Sequence, residues 1–116
     1  MSLSTSTNIY PAGSTFAIAA STTSSQTYVT AGTNNIQAIL VENLDATNDV
    51  FINWSTTAAT VTATLPNAGP AAGVAVQAGA NKIINLSAPS AAFDSNVTVA
   101  ANCITGTATI YITPVF

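Results

Sequence analysis

Five side chains of this chain carry formal charge: Glu42, Asp45, Asp49, Lys82 and Asp94. There is no His and no Arg. General acid–base work most often falls to His, and Ser–His or Cys–His nucleophile pairs need one, so both are excluded. Acid–base chemistry by two carboxylates is formally open, but the spacing gives no reason to place such a pair in a cleft. No Gly-rich phosphate loop is present, and a single Cys with no His cannot build a zinc site. No catalytic residue and no cofactor is assigned, and the chain is read as a non-enzyme.

Glu42, Asp45 and Asp49 cluster with Asn43 and Asn48 in one short stretch. Calcium takes oxygen ligands of this kind, which makes the three acids weak calcium candidates. Their spacing does not match a helix-flanked calcium loop, and the plainer reading is a polar turn with solvated carboxylates. Trp54, Tyr10, Tyr28 and Tyr111 are the aromatics that could stack on sugar rings. Trp54 falls in phase with Val50 and Ile52, which makes it a core residue. Ile9, Tyr10 and Pro11 are the candidate assembly contacts. Cys103 has no partner for an internal disulfide, and its flanks Val97, Val99 and Ile104 mark a buried thiol acting as a small apolar group. Glycosylation sequons begin at Asn53, Asn85 and Asn96. With 11 Asn and 30 Ser or Thr among 116 residues, about three arise by chance, so they carry no information.

The shortage of charge is itself informative. Charged residues make up 4% of the chain, against roughly 25% in an ordinary soluble domain. One cation cannot hold a phosphate backbone, so nucleic acid is not an expected partner. Neutral surfaces associate easily, because net charge is what keeps soluble domains apart. Ser, Thr and Ala lose little rotamer entropy on burial, whereas Lys and Glu lose up to ~2 kcal/mol each. Hydrophobic residues make up 48% of the chain, which argues against disorder. No apolar run reaches the ~18–20 residues of a membrane helix, and Met1 to Tyr10 lacks the basic start and apolar run of a secretory signal.

The elements that must position these residues read as strands. Thr and Val interleave with Ala, and alternation with period two recurs along the chain. Residues 1–14 read as an extended arm broken by Pro11 and Gly13, and 15–116 as a single β-sandwich domain. Strands are predicted at Phe16–Ala20, around Tyr28–Val29, at Ile36–Glu42 and at Asp49–Trp54. Further strands are predicted at Thr60–Leu65, Val74–Gln77, Lys82–Leu86, Asn96–Ala101 and Thr107–Thr113, the last ended by Pro114. The strands at 36–42 and 49–54, joined by the polar turn 43–48, are expected to pair as a hairpin. With about seven to nine short antiparallel strands, the fold class is all-β, a β-sandwich or jelly roll. Edge strands normally carry Lys or other charges that block strand addition, and such guards are nearly missing here.

The stretch from Ile36 to Phe116 resembles small structural proteins of tailed bacteriophages, especially capsid decoration (cement) proteins. The likeness rests on the strand–turn–strand VENLDATNDVFINWS, the Gly turn and strand VQAGANKIINLS, and the C-terminal GTATIYITPVF. It implies a β-sandwich that forms trimers or dimers and sits on the outer face of a capsid shell. The major capsid protein, or another virion protein, would be its partner. No family binding residue transfers position by position. The expectation is a virion structural protein that bridges coat subunits. The alternatives are a sugar- or receptor-binding module of a phage tail fibre or cell surface, and a strand-donating filament subunit.

Overall fold

The computed structural model describes residues 13–30, 36–56, 60–64, 74–86 and 96–115. Most of the expected arm, with Ile9, Tyr10 and Pro11, lies outside the described residues, as does Asp94. Eight strands follow one another: β1 (Phe16–Ala20), β2 (Ser25–Thr30), β3 (Ala38–Asn43), β4 (Val50–Ser55), β5 (Val74–Val76), β6 (Asn81–Asn85), β7 (Asn96–Cys103) and β8 (Ala108–Val115). They form two four-stranded sheets, ordered β1-β8-β3-β6 and β2-β7-β4-β5. Every pairing is antiparallel. Successive strands alternate between the sheets except β4 and β5, which pair directly. This is the strand order of an eight-stranded jelly roll, a double-sheet Greek-key sandwich whose sheets each keep two edge strands. Among the described residues no helix is long and apolar enough to cross a membrane.

Alternation explains why these segments become strands. In β8, Ala108, Ile110 and Ile112 are buried while Thr109 and Tyr111 are exposed. In β4, Val50 and Ile52 point inward, and Trp54 packs half-buried against the same core. The core between the sheets is built from Ile18, Val29, Ile39, Val41, Val50, Ile52, Val97, Val99, Ile110 and Ile112 among others. Full burial of one such side chain contributes about 1.5–3 kcal/mol, and β-branched residues suit the pleated surface they occupy. Cys103 is a free thiol with no exposed surface, as its neighbours required.

Three expectations are corrected. The strands flanking the 43–48 turn do not pair with each other: β3 bonds to β8 and β6, and β4 bonds to β7 and β5. The turn is an arch from one sheet to the other. Alternation fixes which side chains face inward, but it cannot say whether the next strand lies beside its predecessor or opposite it. Second, residues 60–64 form no strand. Val61 and Ala63 are buried with Ala100 while Thr60 and Thr62 are exposed, so the period was right. Their backbone, however, is bonded by side chains rather than by a neighbouring strand.

Third, Pro114 does not end the last strand, which runs on to Val115. Val115 O accepts the Gln37 N–H at 3.0 Å, so Val115 turns its backbone groups toward β3. Pro114 therefore turns its own toward β1. Pairing with β1 stops at Phe16–Ile112, so the missing N–H of Pro114 falls where no strand asks for it.

Candidate functional site

The three acids of the calcium hypothesis are spread over different jobs. Asp45 sits in the arch, where its carboxylate accepts the Asn48 N–H at 2.7 Å and the Thr47 N–H at 3.0 Å. These bonds, Asn48 first, hold its carboxyl below the ordinary value of 3.8. The Asp49 carboxylate accepts the Ala78 N–H at 2.9 Å. Glu42 lies on β3 opposite Tyr111 and Asn81, on the outer face of its sheet. Among the described residues no three His, Cys, Asp or Glu side chains converge on a metal position.

The aromatics are likewise separated. Tyr28 is 56% exposed on the outer side of β2, and Tyr111 is 37% exposed on the outer side of β8, in the opposite sheet. With Trp54 turned toward the core, these three do not form one stacking platform. Burial raises the Cys103 thiol above its ordinary value, with the Asp45 charge adding to the effect and the Ala108 N–H opposing it. A thiol held neutral and enclosed is a poor nucleophile.

The connections at one end of the sandwich are knitted together. Ser21 O accepts the Cys103 N–H, Asn48 Nδ2 donates to Thr107 O, and Asn43 N donates to Ala80 O. With the Asp49–Ala78 bond, these bring 21–24, 44–49, 77–80 and 104–107 to a single rim. Leu44 and Ile104 stand exposed there, and a shallow cavity of about 200 Å³ is lined by Thr47, Asn48, Asp49, Ile104 and Thr105. It offers hydroxyls, an amide and the Asp49 carboxylate, which already accepts the Ala78 N–H.

The broad faces are chemically quiet. The outer face of the β1-β8-β3-β6 sheet presents Ala17, Ala19, Thr109, Tyr111, Leu40 and Ile83, with Glu42 as its acid. On the other sheet, 60–64 forms a strap held by side chains that rise from the strands and the loop before β2. Gln26 Oε1 accepts the Val61 N–H at 2.9 Å, and Ser24 Oγ accepts the Ala63 N–H at 3.0 Å. Asn53 Nδ2 donates to Thr62 O at 3.1 Å, and Asn102 Nδ2 donates to Ala63 O at 3.2 Å.

Sequence reasoning passed over these four side chains, because Gln, Ser and Asn on a polar face look alike whether they bind water or backbone. It also passed over Lys82. That residue shares the phase of Ile84 and Leu86, a signal that its side chain leaves β6 on the side of the other sheet, although it stays exposed at the flank. Its ammonium spans the two sheets and donates to Ala75 O of β5 at 2.8 Å.

The arrangement is therefore one of surfaces, able to bind by shape and neutral hydrogen bonding. No protein-family model matches the chain, and no curated protein shows significant similarity to it.

Proposed function

We propose that this chain is a structural subunit of a virion, of the capsid-decoration type, which stabilises a shell by lying across coat subunits. One observation carries the reading. Only four charged side chains stand among the described residues, and three of them, still in contact with solvent, make hydrogen bonds to the chain's own backbone. Asp45 holds the Thr47 and Asn48 amides, Asp49 the Ala78 amide and Lys82 the Ala75 carbonyl. The jelly roll thus meets its surroundings with a surface that carries few ions, five charged side chains in 116 residues. Laying such a surface on another protein strips few charges of water, the largest penalty of polar burial.

Contact area is the mechanism. A subunit that binds only the assembled shell stabilises it by mass action, by an amount set by its concentration relative to its dissociation constant. The test is to prepare virus particles with and without this chain, then determine their protein composition and heat them. The chain is expected at fixed stoichiometry on the particle, and particles lacking it should lose their genome at lower temperature. Particles that never contain it overturn the reading.

A further inference from the structure

The two flanks of the sandwich are treated differently. On one, edge strand β6 lies beside edge strand β5 of the opposite sheet. There Lys82, whose register partner Val41 faces the core, stays exposed and reaches across the flank to take Ala75 O. Asn43 Nδ2 takes the next carbonyl, Val76 O, at 3.0 Å. A lysine on an edge strand is a recognised barrier to strand addition, and of these two consecutive β5 carbonyls, which face opposite sides of the strand, the one on the free edge is already engaged.

On the other flank lie β1 and β2. From Phe16 to Thr30 there is no charged residue and no proline. Strand β1 has β8 as its neighbour in the sheet and ends the strand order on that side.

Register shows which groups β1 offers. Alternate β8 residues turn toward β3, Val115 and hence Thr113, Tyr111 and Thr109, so Ile112, Ile110 and Ala108 turn toward β1. Their partners Phe16, Ile18 and Ala20 make the β1–β8 bonds. Ala17 and Ala19 therefore direct their N–H and C=O groups outward from the sheet edge, with small exposed side chains.

We propose that the β1 edge pairs with the β1 edge of a second copy of this chain, antiparallel and centred on Ile18. Ala17 of each copy then lies opposite Ala19 of the other, and the two pairs exchange about four main-chain hydrogen bonds. The two copies share one continuous eight-stranded sheet. Charge selects this occupant. Across a two-fold axis each residue near the axis meets its own copy or a close neighbour, so any ion there meets its like. The β1 flank carries no ion, whereas the opposite flank carries Lys82. The pairing deepens the reading of the chain as an assembling subunit and rests on it for its biological setting. A failure in solution would overturn the pairing and leave the particle experiment to judge the function.

The test uses the full chain at about 0.1 mM, where weak dimers populate, with mass read by sedimentation velocity or light scattering. Wild type is expected to dimerise. Ala17→Lys with Ala19→Lys sets lysine against lysine twice and should give monomer. Ala17→Lys with Ala19→Glu sets lysine against glutamate twice and should restore the dimer, in a form weakened by salt. Circular dichroism confirms that the variants fold. In the wild type, Ala17 and Ala19 amides should exchange more slowly as concentration rises, a readout that needs no variant. A monomeric wild type, a double-lysine variant that dimerises like wild type, or a lysine–glutamate variant that stays monomeric each overturns the proposal.

Discussion

Asn43 ties the end of β3 to β5 of the opposite sheet: its buried amide donates to Val76 O at 3.0 Å. The same nitrogen donates to Asn48 O at 2.9 Å, and Oδ1 accepts the Asp45 N–H at 3.1 Å. Every hydrogen-bonding site this side chain needs in the arch is used. Asn43→Leu, close in volume, would leave the Val76 carbonyl without this donor in a buried place. The expected loss is about 2–4 kcal/mol, since orphaned buried polar groups lose their hydration without return. Urea unfolding checks it: the midpoint should fall with little change in slope. A loss under about 1 kcal/mol would show that the arch holds without Asn43.

Asp45 gives the molecule an acid-side dependence of known sign. Its folded carboxyl titrates below the ordinary 3.8 because the Asn48 and Thr47 amides favour the charged form. The unfolded chain therefore binds more protons in that window, and stability rises with pH through it. The contribution is complete above the unfolded value and disappears as pH falls through the folded one. Asp45→Ala removes the acceptor, so its stability should change less with pH below about 4 than wild type does. Thermal melts of both proteins between pH 2 and 6 measure the difference. Parallel profiles would mean another carboxylate governs the acid limb.

Much of the sandwich was legible in the residues. Runs such as Ala108, Ile110 and Ile112 set against Thr109 and Tyr111 specify both a strand and its inward face, because the side-chain period of a strand is two. Pairing was less legible. The 43–48 turn reads equally well as a hairpin or an arch, and what separates them is the reach of Asn43 to Val76, a contact 33 residues away. Residues 60–64 show the same limit. Alternation placed Val61 and Ala63 inward, but only the fold reveals that Gln26 and Ser24 stand in for a neighbouring strand. The proposed contact surface was legible as composition, a chain nearly without ions. Its geometry was hidden, because the guarded and unguarded flanks differ through Lys82 reaching Ala75, a matter of strand order and not of local pattern.

The strap should come loose one bond at a time. Gln26→Leu removes the acceptor of the Val61 N–H and leaves that amide over a largely apolar site with Ala100. The expected cost is about 1–2 kcal/mol. Amide hydrogen exchange gives the sharper readout. Val61 should lose protection, while Ala63, held by Ser24 Oγ, keeps more of its own. Equal loss at both amides would mean the strap opens as one unit, and no loss would mean Gln26 is dispensable to it.

Two glycines provide a matched pair, because both have positive φ but different surroundings. Gly79, at φ 74°, turns the chain between β5 and β6, and a Cβ there would meet nothing within 4 Å. Gly106, at φ 68°, turns it between β7 and β8, and a Cβ would come within 3.0 Å of Asn48 Nδ2. That nitrogen is committed to Thr107 O at 2.9 Å, so it cannot yield without breaking a bond between two rim connections. Gly79→Ala should cost only the left-handed strain, about 1–2 kcal/mol. Gly106→Ala adds the displaced Asn48 bond, so its cost should exceed that of Gly79→Ala by about 1 kcal/mol. Adding Asn48→Ala to Gly106→Ala should bring no full second penalty, because the bond is already lost. A double-mutant cycle in urea measures this coupling, and strict additivity would show that Gly106 is required for its backbone angle alone.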